Sequence, residues 1–372
     1  MTVTRTAPAL STVADHLMGW DHLEWWVGNA RAVAAWLTSG FGFHVVAYAG
    51  PETGIADRVS YVLAQGEIRF VVTAGLDPSS EVAAHVLRHG DGVRHLAWRV
   101  DDAASALHAA AGRGARVVGE PCESHDGTII EASVAAYGET DIAFVQRVRP
   151  GGIWAPGFTT KRLPRPPAGP SVGLESLDHV VANVEEGRLD EWVEFHESVL
   201  GFVQMKHFDA EQISTEYSAL RSTVMWDGHQ IVLPINEPAP GRRQSQIQEY
   251  LNAYGGPGVQ HIAMATRDIC SSVQALSRRG VRFLDLPKSY YDEARVRCGQ
   301  FNVDWAELQH LGIEIDADSG GYLLQIFSEN VADRPTLFTE IIQREGATGF
   351  GEGNFKALFE AIEREQARRG HL

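Results

Sequence analysis

The chain has 372 residues, of which 44% are hydrophobic and 22% charged, an ordinary balance for a globular protein of about two domains. Acidic residues outnumber basic ones by 48 to 32, and the formal net charge of -16 argues against nucleic-acid binding, which requires neutralised phosphates. No apolar run predicts a signal peptide or a transmembrane helix, so no membrane partner is expected. Three widely spaced cysteines argue against a disulfide framework, which predicts free thiols and a cytoplasmic location.

In chain order, the predicted elements occur twice. Residues 19–43 and 176–202 each read as a strand with Asp-His, then Asn, a helical pattern and Gly-Phe. Further along, GDGVRHLAWRV at 90–100 matches GPGVQHIAMAT at 256–266, and a helix and a strand are predicted after each. Because the matched pieces keep one order, we predict a duplicated module.

The domain boundaries follow from this repeat. The first copy spans about 15–148, and the second begins near 174. Residues 149–173 are rich in Pro and Gly and read as a linker. The tail within 174–372 carries apolar residues at helical spacing, which predicts a closing amphipathic helix. Apolar strands need a covered face, so we predict an α+β fold of curved sheets with helices packed outside.

Three residues of the second copy are candidate metal ligands. They are His179 in LDHVVANV, His261 in GVQHIAMA and Glu340 in PTLFTEIIQR, and strand alternation gives each one apolar neighbours on its own face. A carboxylate on such a surface is unfavourable unless it is paired or bound to metal. Two imidazoles and one carboxylate are typical of non-haem iron(II) oxygenases, which keep open positions for substrate and dioxygen.

The first copy retains only part of this set. His22 and His95 occupy the matching positions, but Ala143 matches Glu340 if VQR is aligned with IQR. We interpret the two histidines as a relic of duplication. The alternative is a second, weaker metal site.

Longer motifs point to a known family. The stretches TEYSAL, LPINEP, QSQIQEYL, GGPGVQHIA, GVRFLDLPKSYYD, GYLLQIF and GFGEGNFKALFEAIEREQ cover most of residues 174–372, and AYAGPETG, RFVVT and HGDGV occur in the first half. By these motifs the chain resembles the 4-hydroxyphenylpyruvate dioxygenase family of the vicinal oxygen chelate superfamily. The resemblance implies duplicated beta-alpha-beta-beta-beta modules forming curved mixed sheets, a non-catalytic N-terminal domain and a catalytic C-terminal domain with a lid helix. It also implies one Fe(2+) per chain, held by His179, His261 and Glu340.

The same resemblance implies the reaction. Members of the family convert 4-hydroxyphenylpyruvate and O2 to homogentisate and CO2 by oxidative decarboxylation, ring hydroxylation and side-chain migration, in tyrosine and phenylalanine catabolism. Because the substrate carries its own 2-oxo acid, no 2-oxoglutarate is required. A homo-oligomer, either a dimer or a tetramer, is also implied.

The resemblance further implies the pocket. Asn236, Gln246 and Gln260 would be catalytic amides, able to donate or accept hydrogen bonds without competing for the metal. By spacing alone, Phe355 fits the apolar stripe of the tail helix and Asn354 its N-cap. The full set of implied substrate-binding residues is Ser218, Asn236, Gln246, Gln260, Gln325, Phe327, Phe338, Phe350, Asn354 and Phe355.

Three other functions are open at this point. A 4-hydroxymandelate synthase shares the substrate but hydroxylates the benzylic carbon, and LPINEP with GNFKALF favours the ring-hydroxylating enzyme over it. An extradiol ring-cleaving dioxygenase is disfavoured by the GFGEGNFKALF tail. A non-catalytic small-molecule-binding protein of the superfamily would lack the full triad, so Glu340 is the discriminating residue. Thr339 and residues 292–316 and 328–335 depart from the family pattern.

Overall fold

The computed structural model describes residues 11–149, 151, 153–161, 163, 171–209 and 219–368. The strands of the first half are β1 (Leu17–Trp26), β2 (His44–Ala49), β3 (Arg58–Gln65), β4 (Ile68–Gly75), β5 (Gly92–Val100), β6 (Val117–Glu123), β7 (Ile129–Ala135) and β8 (Asp141–Arg147). Its helices are α1 (Ala30–Ser39), α2 (Glu81–His89) and α3 (Ala103–Ala111).

The strands of the second half are β9 (Leu174–Asn183), β10 (Val203–Phe208), β11 (Ala219–Trp226), β12 (Val232–Ala239), β13 (Gly258–Thr266), β14 (Glu314–Ala317), β15 (Tyr322–Phe327) and β16 (Phe338–Glu345). Its helices are α4 (Leu189–Glu194), α5 (Gln246–Tyr254), α6 (Ile269–Arg278), α7 (Lys288–Cys298), α8 (Trp305–Leu311) and α9 (Phe355–Arg368). The predicted tail helix corresponds to α9.

Each half forms one eight-stranded mixed sheet, and the two sheets share a strand order. The order is β2-β3-β4-β1-β5-β8-β7-β6 in the first sheet and β10-β11-β12-β9-β13-β16-β15-β14 in the second. Every strand of the second sheet therefore has a counterpart eight strands earlier in the chain. Each sheet contains a strand, a helical segment and three further strands twice, starting at its two central strands, and the helical segment after β13 consists of α6, α7 and α8. The predicted duplication and mixed-sheet α+β fold are confirmed.

Side-chain caps mark several helix starts in both halves. The side chain of Asn29 accepts a hydrogen bond from the backbone N–H of Ala32 at the start of α1. Asp102 and Asp268 cap the equivalent helices α3 and α6 in the same way. Each cap satisfies one of the N–H groups that have no partner inside the helix. The repeat thus preserves the local signals that position helices against the sheets.

Part of the predicted linker packs on the first sheet. Thr159 forms an isolated bridge with Tyr48 of β2, with backbone hydrogen bonds in both directions. The guanidinium of Arg147 lies 4.2 Å from the ring centroid of Trp154. These described residues of the segment are therefore attached to the N-terminal half.

Two further expectations concern the whole chain. Cys122, Cys270 and Cys298 are free thiols, as predicted. Across the ranges that the structure describes, every helix is too short or too polar to cross a membrane.

Candidate metal centre and substrate cavity

Three adjacent strands of the second sheet carry the predicted metal ligands. In the register of β9, β13 and β16, His179 lies opposite Ala263, and Ala263 lies opposite Glu340. His261 precedes Ala263 by two residues, so its side chain projects from the same face of β13. The small side chain of Ala263 leaves space between the three ligands.

The ligand atoms lie close enough to share one ion. The Nε2 atoms of His179 and His261 are 3.2 and 3.4 Å from Oε2 of Glu340, and all three side chains are buried. Ligands about 2.0–2.2 Å from a common ion are roughly 3.0–3.5 Å apart at octahedral to tetrahedral angles. The donor set therefore fits a single divalent transition-metal ion.

Neighbouring side chains fix the orientation of both imidazoles. Nδ1 of His179 is 2.7 Å from Oδ2 of Asp178, and Nδ1 of His261 is 3.0 Å from Oε1 of Gln260. Because a carboxylate and an amide oxygen can only accept, each Nδ1 carries the proton and each Nε2 presents a lone pair to the ion. Arg344 donates hydrogen bonds of 2.8 and 2.9 Å to Asp178.

The electrostatics of the centre favour a cation. Burial by itself raises the pKa of Asp178, but hydrogen bonds from His179 and Arg344 hold that pKa well below its usual value. Burial likewise opposes the charge of Glu340, yet the two imidazoles lower its pKa. Burial lowers the pKa of His261. The centre therefore keeps an ionised carboxylate in a buried place, where a bound ion can neutralise it.

The first half repeats this arrangement without the carboxylate ligand. Nδ1 of His22 is 2.8 Å from Asp21, which accepts hydrogen bonds of 2.6 and 2.7 Å from Arg147. The register places Ala143 opposite Ala97, where the second sheet has Glu340 opposite Ala263.

Among the described residues, no three-residue ligand group includes His22 or His95. A second metal site at these two histidines therefore lacks a third ligand, and the structure favours the interpretation of a relic of duplication.

One cavity beside the triad collects most of the predicted substrate residues. Ser218 lies outside the described residues. Asn354 is not among the residues that line the cavity, and its Oδ1 accepts hydrogen bonds of 2.7 Å from the Tyr290 hydroxyl and 3.2 Å from Arg297. The predicted residues that do line it are Asn236, Gln246, Gln260, Gln325, Phe327, Phe338, Phe350 and Phe355.

Aromatic rings surround the two imidazoles. Phe338 stacks on His261 with ring centroids 4.8 Å apart, and Phe327 meets the same imidazole edge-on at 5.9 Å. Phe350 meets His179 edge-on at 5.5 Å. The two imidazoles are therefore packed against aromatic rings on the metal side of the cavity.

Helix α9 covers the other side of the cavity. Phe355, Leu358, Phe359 and Ile362, which recur at the helical spacing seen in the sequence, all line it. Phe355 also meets Phe208 edge-on, with ring centroids 5.2 Å apart. The tail helix is therefore part of the cavity wall.

Two residues at the site, Asp178 and Glu314, were not predicted from the sequence. The Asp-His pair recurs in both copies, and that recurrence could have indicated Asp178 as a partner of His179. Glu314 is the larger surprise, because it is 2% exposed and its Oε2 accepts a 3.1 Å hydrogen bond from Nε2 of Gln325 on the next strand. Burial raises the pKa of Glu314 to about 8. The only local signal was an acid between Ile313 and Ile315.

The fold and the site together define a class of protein. Two duplicated sheets with a His-His-Glu group on one of them are typical of metal-dependent vicinal oxygen chelate proteins. Residues 176–326 and 21–132 match profiles of the Glyoxalase/Bleomycin resistance protein/Dioxygenase superfamily. Both halves of the chain therefore carry the signature of that superfamily.

Full-length relatives narrow the class to one family. The chain is 42% identical to the 4-hydroxyphenylpyruvate dioxygenase of Aspergillus fumigatus, over 95% of this chain and 94% of that protein. It is 44% identical to the protein of the same name from Caenorhabditis briggsae, over 96% of this chain and 94% of that protein. It is also 44% identical to the one from Dictyostelium discoideum, over 95% of this chain and 100% of that protein. The chain belongs to the 4-hydroxyphenylpyruvate dioxygenase family, which confirms the resemblance seen in its motifs.

A solved structure supports the fold across nearly the full chain. A triple mutant of 4-hydroxymandelate synthase from Streptomyces coelicolor matches with a TM-score of 0.84 and 34% identity, covering 94% of this chain and 99% of that one. The fold and most of the sheet framework are thus shared with a synthase of a different name, so fold alone does not distinguish the two products.

Proposed function

We propose that this chain is an iron(II)-dependent dioxygenase that converts 4-hydroxyphenylpyruvate and O2 to homogentisate and CO2. The observation that carries the proposal is the convergence of His179, His261 and Glu340 in a buried cavity of a member of this family. In this proposal, residues 174–372 are the catalytic domain with its tail helix, 15–148 are a non-catalytic domain, and 149–173 connect them.

The three side chains would hold one Fe(2+) per chain. When bound, the ion supplies positions where the 2-oxo acid of the substrate chelates and dioxygen is activated. Because the substrate brings its own 2-oxo acid, no 2-oxoglutarate is needed. Asp178 and Gln260 act as positioning residues, since each holds one imidazole with its Nε2 towards the ion.

The amides of the cavity bind the polar parts of the substrate. Gln246 and Asn236 line the cavity, and Nδ2 of Asn236 is 3.5 Å from Oδ1 of Asn183. These groups donate hydrogen bonds to a phenolic oxygen and stabilise charge that develops on the ring during hydroxylation. Gln325 is held through its amide nitrogen by Glu314, which leaves its carbonyl oxygen to accept from a ligand.

The aromatic rings and the tail helix control position and water. Phe327 and Phe338 confine the substrate ring, and such aromatic contacts contribute about 1 kcal/mol beyond area burial. Phe355 and its neighbours on α9 close the cavity, so that water does not compete with substrate for reactive oxygen.

The experiment is an aerobic incubation of the purified chain with Fe(2+), ascorbate and 4-hydroxyphenylpyruvate, followed by identification of the product. Homogentisate supports the proposal. 4-Hydroxymandelate would instead assign the chain to benzylic hydroxylation, and bound iron without turnover would indicate a non-catalytic binding protein. Glu340→Ala is the matched inactive control. Sedimentation velocity on the same sample tests the proposed homo-oligomer.

A further inference from the structure

A second cluster of potential metal ligands lies in the N-terminal half. Helix α2 carries His85 and His89, four residues apart on one face, and each is only 3% exposed. Glu139, in the loop between β7 and β8, reaches both of them. Nδ1 of His85 and Nε2 of His89 are each 3.1 Å from Oε2 of Glu139, and the three ligand atoms all lie within 4.8 Å of one another.

The spacing of this cluster matches that of the triad. The imidazole-to-carboxylate distances are 3.1 and 3.1 Å here, against 3.2 and 3.4 Å at Glu340. Both pairs fall within the roughly 3.0–3.5 Å expected for atoms that share an ion at bond lengths of about 2.0–2.2 Å. The imidazole-to-carboxylate spacing of the cluster is therefore compatible with a shared ion.

The tautomer of His89 supplies an independent reason for a cation. Its Nδ1 is 2.6 Å from the backbone carbonyl oxygen of Tyr254, which can only accept, so Nδ1 carries the proton. In the neutral ring, Nε2 then directs a lone pair at the carboxylate of Glu139, and this buried nitrogen has no hydrogen-bond partner among the described residues. Two electron-rich atoms 3.1 Å apart repel each other unless a cation lies between them. Histidines that bind metals usually donate their other ring N–H to an oxygen such as a backbone carbonyl, as Nδ1 of His89 does here.

The surrounding charges restrict the kind of ion. Arg88 contacts the carboxylate of Glu139, and Arg94 is paired with Asp141 at 2.5 Å, so the surroundings are close to neutral. Hard ions such as Mg²⁺ and Ca²⁺ require mostly oxygen ligands and several negative charges. Two imidazoles with one partly neutralised carboxylate suit a borderline transition-metal ion instead.

We propose that His85, His89 and Glu139 form a second metal site, which binds a divalent ion of the zinc class independently of the Glu340 centre. Tyr254, whose carbonyl supports His89, is the last residue of α5, the helix that begins with the cavity residue Gln246. The ion would therefore connect the N-terminal half to a helix of the substrate cavity. This inference concerns residues outside the proposed active site and does not depend on the proposed function.

The test counts metal ions in a protein that lacks the first site. A tag-free His261→Ala variant is stripped with a chelator, incubated with one to four equivalents of Zn²⁺, desalted and analysed by plasma mass spectrometry. We expect one Zn²⁺ per chain. Adding Glu139→Gln should lower the affinity for Zn²⁺ by more than about 100-fold, because it removes a metal ligand. Loss of a group that only supports a ligand costs about 10–100-fold. When Co²⁺ replaces Zn²⁺, the protein should show absorption bands in the visible spectrum, and Glu139→Gln should abolish them.

Two controls keep the result interpretable. His108→Ala removes an exposed histidine from helix α3 and should leave Zn²⁺ binding unchanged. Glu139 is partly exposed, so Glu139→Gln should keep the native circular dichroism spectrum even if His85→Ala destabilises α2. In the wild-type chain, the expected count is two ions, falling to one in Glu139→Gln. A wild-type chain that binds only one ion would overturn the proposal. A second ion retained in both Glu139→Gln and His85→Ala would also overturn it, because that ion would then bind elsewhere in the chain.

Discussion

Replacing Glu314 with glutamine should stabilise the protein, and the gain should grow as the pH rises. Glu314 is buried opposite Gln325, and burial raises its pKa from the ordinary value of 4.5 to about 8. Between these values the folded protein holds a proton that the unfolded chain releases. Stability due to this group therefore falls as the pH rises from about 4.5 towards 8.

The size of the effect follows from the two pKa values. Glu314 ionises in the unfolded chain but keeps its proton in the folded protein. This difference lowers the free energy of unfolding by about 1 kcal/mol near pH 5 and about 3 kcal/mol near pH 7. Glutamine keeps the shape of Glu314 and an oxygen that accepts from Nε2 of Gln325, but it does not titrate. The stability difference between Glu314→Gln and the wild type should therefore increase by about 2 kcal/mol between those pH values.

The assay is urea unfolding of both proteins near pH 5 and near pH 7. Because the variant is compared with the wild type, the contributions of all other titrating groups to the free energy of unfolding cancel. Glu293→Gln, on the exposed side of the neighbouring helix α7, is the matched control for loss of one carboxylate. An equal stability difference at both pH values would refute the inference that Glu314 is protonated in the folded protein.

The remaining predictions concern the metal centre and the cavity. Glu340→Ala should abolish turnover and weaken iron binding, because one of three protein ligands is lost, and iron analysis with a product assay measures both. Asp178→Ala should weaken iron binding about 10–100-fold by releasing the ring of His179, and retention of wild-type affinity in a competition titration would contradict the positioning role of Asp178. His22→Ala and His95→Ala should leave the metal count of the chain unchanged, and a lower count in either would revive a site there. Phe355→Ile should change the ratio of ring to benzylic products more than the iron content, so an unchanged product ratio by chromatography would mean that this ring only packs.

Local sequence patterns were sufficient to predict the two duplicated sheets and the candidate metal ligands. Alternation along a strand determines which residues share a face, so the sequence pattern places His179, His261 and Glu340 each among apolar residues of its own strand. The Asp-His and Gly-Val-x-His repeats showed that the halves are copies, and the motifs placed them in a family. These signals are local because they arise from backbone geometry and from short runs of residues.

Tertiary structure decided which distant side chains meet. Arg344 reaches Asp178 across 166 positions, and Glu314 faces Gln325 only because β14 pairs with β15 in one register. Asn354 accepts hydrogen bonds from Tyr290 and Arg297, which lie 64 and 57 positions away in the sequence. The cluster of His85, His89 and Glu139 likewise joins a helix to a loop about fifty positions away. Pairing register and packing are collective properties of the folded chain, so no short stretch of sequence encodes them.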